Sequence, residues 1–228
     1  MNDNKIVEYT NETWLEPLGK ILKDIRLMSI TKPVVDKGNV VFPSKKLDDI
    51  LRAFAVVNYN QLHTVILGQD PYPNVDRNGK PYATGIAFGI HKDNVGIPPS
   101  LQILDKAITK AYGSPISDYT LESVAKQGVL FLNSSLTVEQ GNPHSHTEAW
   151  RWFIERVIGI FNNGAKDVGI IKMGKVAQSF DTQFATYSIN CPHPASDSYN
   201  NTNLFYENEP FTRYNMWLEV HHGKKIKW

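Results

Sequence analysis

The sequence predicts an α/β protein with three layers, α/β/α, around a short and mainly parallel central sheet. Three observations predict it. Short β-branched apolar runs recur along the chain, and helical periodicities of ten or more residues fall between them. Turn residues such as Gly, Asn and Pro punctuate the boundaries. Strands alternating with helices imply a parallel sheet covered on both faces.

The elements follow in order. Thr13-Trp14-Leu15-Glu16 has a capping-box pattern, and Trp14, Leu15, Leu18, Ile21, Leu22 and Ile25 keep helical spacing. Pro17 sits in the first turn, where proline is tolerated. Ser44 is a candidate cap for a second helix carrying Leu47, Ile50, Leu51, Phe54 and Val57. Thr64-Val65-Ile66-Leu67, ending in Gly68, predicts the first buried strand. Further strands are expected at Gly85–Ile90, Val129–Leu132, Val168–Met173 and Thr186–Ile189. Between them, Ser100 is placed to cap a helix over Leu101–Ala111 that stops at Gly113. Thr147 caps Glu148–Phe161, which stops at Asn162-Asn163-Gly164. Gly174–Phe184 reads as a short helix and Phe211–Val220 as a last one.

Composition bounds the class. The chain has 228 residues, 41% of them hydrophobic and 21% charged, which is the balance of a globular protein rather than a disordered one. We read one domain over 1–228, with 1–40 as an N-terminal helical extension. A single cysteine, Cys191, excludes an internal disulfide and a Cys-rich zinc module. No apolar run approaches the roughly 20 residues of a membrane span, and the N-terminus lacks the pattern of a secretory signal. The expectation is a soluble intracellular protein, cytoplasmic, or nuclear in a eukaryotic or viral setting. Net charge is +1, which neither favours nor excludes nucleic acid, because binding depends on local patches. The basic end, His221 to Trp228, reads as solvated.

In such sheets ligands sit beyond the carboxyl ends of the strands. The loops there hold Gly68-Gln69-Asp70-Pro71-Tyr72-Pro73, Asn133-Ser134-Ser135, Gly174-Lys175, and Cys191-Pro192-His193-Pro194-Ala195-Ser196-Asp197-Ser198. A carboxylate, an aromatic ring, an amide, a cation and a histidine thus gather at one end. By residue type, Asp70 is a candidate base or water-orienting group and His193 a candidate acid or hydrogen-bond donor. Each also has a plain structural reading, as turn former or cap. It is their shared placement that argues for chemistry. His144-x-His146 and His221-His222 lack ligand partners at matching spacing, so no metal is expected. Cys191 and His193 are too close along an extended segment to face each other as nucleophile and base. No GxGxxG or GxxxxGK[ST] motif is present.

These segments resemble the uracil-DNA glycosylase family, in its uracil-excising branch, from about Val41-Phe42-Pro43 to the end. Gly68-Gln69-Asp70-Pro71-Tyr72 resembles its water-activating loop, and Gly85-Ile86-Ala87-Phe88 the strand with its base-stacking Phe. Ala125 to Asn133, followed by Leu136-Thr137-Val138 and Ser145-His146, resembles the segment with its uracil-reading Asn. His193-Pro194 with Ser196 and Ser198 resembles the loop that both catalyses and enters the minor groove. The resemblance implies base flipping from uracil-containing DNA, single- or double-stranded, and hydrolysis of the glycosidic bond to leave an abasic site. It implies Asp70 and His193 as catalytic, and Gln69, Tyr72, Phe88 and Asn133 as the uracil pocket. Pro98, Pro99, Ser100, Gly174, Lys175, Pro194, Ser196, Asp197 and Ser198 are the implied DNA contacts. No cofactor or metal is implied; the family is monomeric and meets protein inhibitors that mimic DNA. Two other readings are a non-catalytic DNA-binding module on the same fold and a glycosylase for a modified pyrimidine.

The chain departs from the family at several points. Pro73 stands where His is common, Lys175 replaces a small residue, and Asn74–Ala83 is polar and charged instead of a short linker. Asp197 takes the place of a bulky Leu that fills the gap left by the flipped base. An anion facing phosphates predicts weak duplex flipping and a preference for single strands, unless Tyr199 supplies the wedge.

Overall fold

A computed structural model of the chain describes residues 9–24, 39–162, 167–183 and 185–228. Much of the N-terminal extension, Ile25, the Asn163-Gly164 helix stop and the Phe184 helix end lie outside the described residues.

The parallel sheet is built from β2 (Thr64–Gly68), β3 (Val129–Asn133), β5 (Gly169–Met173) and β6 (Tyr187–Cys191), in the order β3-β2-β5-β6. Every residue of β2, β3 and β5 is buried, so both faces of these strands are covered. That is why they read as continuous apolar runs rather than alternating ones. β1 (Val41–Phe42) and β4 (Val138–Glu139) form a separate antiparallel pair.

Helices α1 (Leu15–Leu22), α2 (Leu47–Ile50), α3 (Arg52–Val56), α4 (Pro99–Tyr112), α5 (Glu122–Ala125), α6 (Thr147–Asn162), α7 (Lys175–Gln178), α8 (Pro194–Asn200), α9 (Leu204–Asn208) and α10 (Pro210–His222) flank the sheet. α4 packs with α8, α9 and α10, while α1 packs with α6. Trp14, fully buried, anchors the N-terminal segment: its indole N–H donates to Val57 O at 2.8 Å, and its ring meets Phe54 edge-on. Tyr214 of α10 ties to the start of β2 through Thr64 Oγ1 at 2.9 Å.

Several local expectations are corrected. Asn11, not Thr13, caps the first turn, accepting from Thr13 N, because a 3-10 turn over Glu12–Trp14 precedes α1. The N-cap of α2 is Lys46, with Ser44 bonded to Lys46 N and Asp49, and the helix pattern divides into α2 and α3 at Leu51. Pro98 rather than Ser100 occupies the N-cap of α4. The short helix after β5 covers only Lys175–Gln178.

Gly85–Ile90 is a loop, not a strand. Gly85 has φ +86, and a Cβ there would stand 1.8 Å from Asp49 O. Phe88 also takes a left-handed φ of 65°. Two such residues cannot lie in a strand. The apolar run is buried all the same, because the loop folds over the sheet with Ala87 N donating to Phe131 O.

Registers place Gly68 beside Asn133 and Met173 beside Cys191. The carboxyl ends of the strands are therefore level, and the loops that leave them start from one edge. The chain runs outward in opposite directions from β2, to β3 on one side and β5 on the other. That reversal opens the crevice in which α/β sheets hold ligands.

Candidate active site

A cavity of about 250 Å³ lies at this edge. Gln69, Asp70, Tyr72, Phe88, Pro98, Pro99, Ser100 and His193 of the expected set line it. Pro71, Pro73, Asn74, Tyr82, Ile97, Pro143, Ala195 and Tyr199 complete its walls.

Asp70 follows β2 directly. Its Oδ2 accepts from His144 N at 2.9 Å, and Thr147 Oγ1 donates to Oδ1 at 3.4 Å. The His144 ring Nδ1 lies 3.5 Å from the same Oδ2, and its Nε2 is 2.9 Å from Gln69 Nε2. The loop after β2 is fixed from behind by Ser134 N on Gly68 O and Ser135 N on Gln69 O.

His193 is not in an irregular loop. It is the N-cap of α8, with Pro194 at the first helical position, where its missing N–H costs nothing. His193 Nδ1 accepts from Ala195 N at 3.2 Å. The neutral ring therefore bears its proton on Nε2. Burial, and next the neighbouring His144 charge, push the imidazole down to about 4, so it is neutral at pH 7. Its ring stacks on Phe88, with centroids 5.7 Å apart and planes at 28°. Gly174 makes room for this: its φ is +90, and a Cβ there would meet His193 Cβ at 3.1 Å.

Asn133 ends β3, is 8% exposed, and adjoins Phe88 of the cavity wall across Gly68. Its amide oxygen covers Gly68, where a Cβ would come within 2.6 Å of it and 3.1 Å of the Phe88 ring. Gly68, Asn133 and Phe88 thus converge. The Tyr72 hydroxyl donates to Phe88 O at 3.3 Å and accepts from Ser100 Oγ at 3.4 Å; burial raises its pKa far above the ordinary phenol value.

The expected DNA contacts divide. Pro98 and Pro99 lack N–H groups, and Leu101 N and Gln102 N turn back to Pro98 O. Ser100 N is then the group this helix start can offer an anion. Lys175 is exposed beside Gly174, and Ser198 is exposed on α8. Pro194 is buried, and the Ser196 hydroxyl donates back to His193 O at 2.7 Å.

Asp197 is a correction. It is 4% exposed, and its carboxylate turns inward to accept from Thr202 Oγ1, Phe205 N and Tyr206 N at 3.0–3.2 Å. It caps the N-terminus of α9 and presents no anion to DNA. Two residues on, Tyr199 is 82% exposed and lines the cavity.

His144, Thr147 and Tyr82 are absent from the expected set. The turn-forming run Gly141-Asn142-Pro143 before His144 is the signal that the chain doubles back there. Its partner in the His-x-His pattern, His146, points elsewhere, to Thr137 Oγ1 and Glu139. The two rings do not form a ligand pair. Among the described residues no group of three or more His, Cys, Asp or Glu side chains is placed to hold a metal. Cys191 is 1% exposed, its thiol is directed at Lys172 O, and burial pushes it up to about 12, which leaves no thiolate nucleophile. No described helix is long and apolar enough to cross a membrane.

The family model described as uracil DNA glycosylase superfamily matches residues 54–219. Uracil-DNA glycosylase 1 of Listeria monocytogenes is 36% identical over 225 residues, covering 95% of this chain and 97% of that protein. The uracil-DNA glycosylase of Actinobacillus succinogenes is 36% identical over 198 residues, 84% of each chain. The crystal structure of mimivirus uracil-DNA glycosylase aligns over all of this chain and 89% of its own, with a TM-score of 0.82 at 21% identity. A mimivirus UNG Y322L structure in complex with UGI aligns with a TM-score of 0.83 at 21% identity, over all of this chain and 91% of its own. At that identity the likeness is one of fold.

Proposed function

Since the chain belongs to the uracil-DNA glycosylase superfamily, and so hydrolyses the glycosidic bond of deoxyuridine in DNA to release uracil, we propose the following division of labour in its cleft. The observation that carries it is that Asp70 and a neutral His193, with Phe88 stacked on it, line one cavity.

The bond breaks with positive charge on the sugar and negative charge on uracil. Asp70 orients the water whose oxygen joins C1′ as the C1′–N1 pair leaves with uracil; the water's proton passes toward the carboxylate. The anion also favours the cationic sugar. His193 donates its Nε2–H to uracil O2. A neutral donor suits this, because the hydrogen bond strengthens as charge arrives on the base. Asn133 supplies an amide acceptor and donor for N3–H and O4, a pattern that cytosine reverses. Phe88 stacks on the base, Tyr72 closes the space at C5, and Gln69 borders the pocket.

Flipping needs something to fill the vacated stack. Asp197 faces inward, so the exposed Tyr199 at the cavity mouth takes that part. Pro98, Pro99 and Ser100 N at the cavity, with the exposed Lys175 and Ser198 beside it, form the surface that meets the backbone, while Gly174, Pro194 and Ser196 hold His193 in place. The working unit is a monomer, and a DNA-mimic protein inhibitor would occupy the same cleft, in line with the UGI complex of the mimivirus protein.

The test is release of uracil from a single-stranded oligonucleotide with one deoxyuridine, in EDTA, beside thymine and cytosine controls. Uracil alone should be released. Release of none of the three, with DNA binding intact, would favour the non-catalytic module.

A further inference from the structure

One wall of the cleft has no part in the scheme above. Residues Asn74–Ala83 form a small hairpin: Val75 bridges to Pro81, Tyr82 N donates to Asn74 O, and Asp76 N donates to Lys80 O at 2.7 Å. Gly79, at φ +80, makes the turn. Asp76 clasps it. Although an aspartate, it is 5% exposed, and its carboxylate accepts from Asn78 N, Lys80 N, Val95 N and Asn94 Nδ2 at 2.8–3.2 Å. Two of these donors belong to the hairpin and two to the segment that leads to Pro98. The clasp therefore joins both sides of the cleft entrance.

What this rigid unit delivers is Tyr82. Its ring lines the cavity and meets the Tyr72 ring edge-on, with centroids 6.1 Å apart and planes at 69°. Its hydroxyl donates to Val95 O at 3.2 Å. Below it, Ala83 and Val75 pack with Phe42, Val138 and Tyr72 in a small apolar cluster of their own. Tyr72 is thus held at its hydroxyl by Phe88 O and Ser100, and at its ring by that cluster and by the Tyr82 ring.

We propose that Tyr82 is a positioning residue that fixes the Tyr72 ring and thereby sets how strictly the site refuses pyrimidines substituted at C5. The inference rests on Tyr72 being the wall at C5. Without Tyr82 the Tyr72 ring loses the neighbour on its cavity side, and a shift of about the width of a methyl group is what admits a methyl. Aromatic edge contacts of this kind supply a real but modest restraint, about 0.5–1.5 kcal/mol beyond area burial. Rejection of one methyl in a well-packed pocket is worth about 10–200-fold, so loosening the wall has a measurable range to act over.

The experiment compares kcat and KM for deoxyuridine and thymidine at one position of a single-stranded oligonucleotide. The variants are Tyr82→Ala, Tyr82→Phe, Tyr72→Ala and Asp76→Asn. Tyr82→Ala should raise the thymine-to-uracil ratio of kcat/KM by about tenfold, chiefly through kcat. Tyr82→Phe, which keeps the ring, should restore most of the wild-type ratio. Asp76→Asn should shift the ratio the same way by less. If Tyr72→Ala shifts the ratio and Tyr82→Ala does not, the role given to Tyr82 is wrong while the C5 wall stands. If Tyr72→Ala leaves it unmoved, the wall itself is misassigned and Tyr82 falls with it. Should Tyr82→Ala fail to fold, Tyr82→Leu takes its place, with the same expected direction.

Discussion

Two aspartates near the cleft, Asp70 and Asp197, have opposite surroundings. Asp70 lines the cavity, with one backbone N–H, a long hydroxyl contact and the His144 ring Nδ1 3.5 Å away. Asp197 lies on α8 only four residues past His193, yet its oxygens are consumed by Thr202, Phe205 and Tyr206. The number of protein donors decides the role. A carboxylate saturated by backbone N–H groups is part of the scaffold; one left partly unpaired in a cavity is available for chemistry.

His193 belongs on the Asp70 side of this division, and removing it gives the largest effect. His193→Ala should lower uracil release by about 10²–10³-fold, the loss expected for one donor to a developing anion. Single-turnover rates check it; a loss under tenfold would break the assignment.

Tyr199 sharpens the other side. If Asp197 is scaffold, the exposed ring beside it is what DNA meets. Tyr199→Ala should slow excision from duplex about tenfold, of the order of a lost base–aromatic stack of 1–3 kcal/mol. Excision from single strands should hardly change. Equal losses on both substrates would remove the wedge from Tyr199.

A smaller effect concerns pH and stability. His193 is lowered to about 4 by burial first and the His144 charge second. As pH falls below the ordinary histidine value of about 6.5, the unfolded chain takes up a proton that the folded chain refuses. Stability therefore falls through that window and levels near the folded value of about 4. His63 and His91 are also lowered, mainly by burial, and add in the same direction. Urea midpoints between pH 7 and 4 should fall less steeply in His193→Ala than in the wild type; identical slopes would contradict a neutral buried His193.

Much of this was legible in the sequence. Thr64-Val65-Ile66-Leu67 and its counterparts read as strands because burial on both faces demands unbroken apolar runs. Loops that leave the carboxyl ends of such strands share one edge, so the sequence alone pairs Asp70 with His193. Other features depend on contacts that no local pattern encodes. Gly85–Ile90 has strand-like composition, but the close approach of Asp49 O and the φ of Phe88 make it a loop. Asp197 turns inward because α9 begins seven residues later and the N–H groups of its first turn need an acceptor. Tyr82 reaches Tyr72 only through the clasp at Asp76, whose partners Asn94 and Val95 are 18 and 19 residues away.

The most direct measurement makes one chemical change at both aspartates, Asp70→Asn and Asp197→Asn, and reads uracil release and thermal unfolding for each. Asp70→Asn should lose about 10²–10⁴-fold in rate with its melting temperature and DNA binding kept. Asp197→Asn should keep single-strand activity within a few-fold and lose several degrees, as expected for weakening charged hydrogen bonds worth about 1.5–3 kcal/mol. An active Asp70→Asn, or an inactive Asp197→Asn of unchanged stability, would contradict this division of roles.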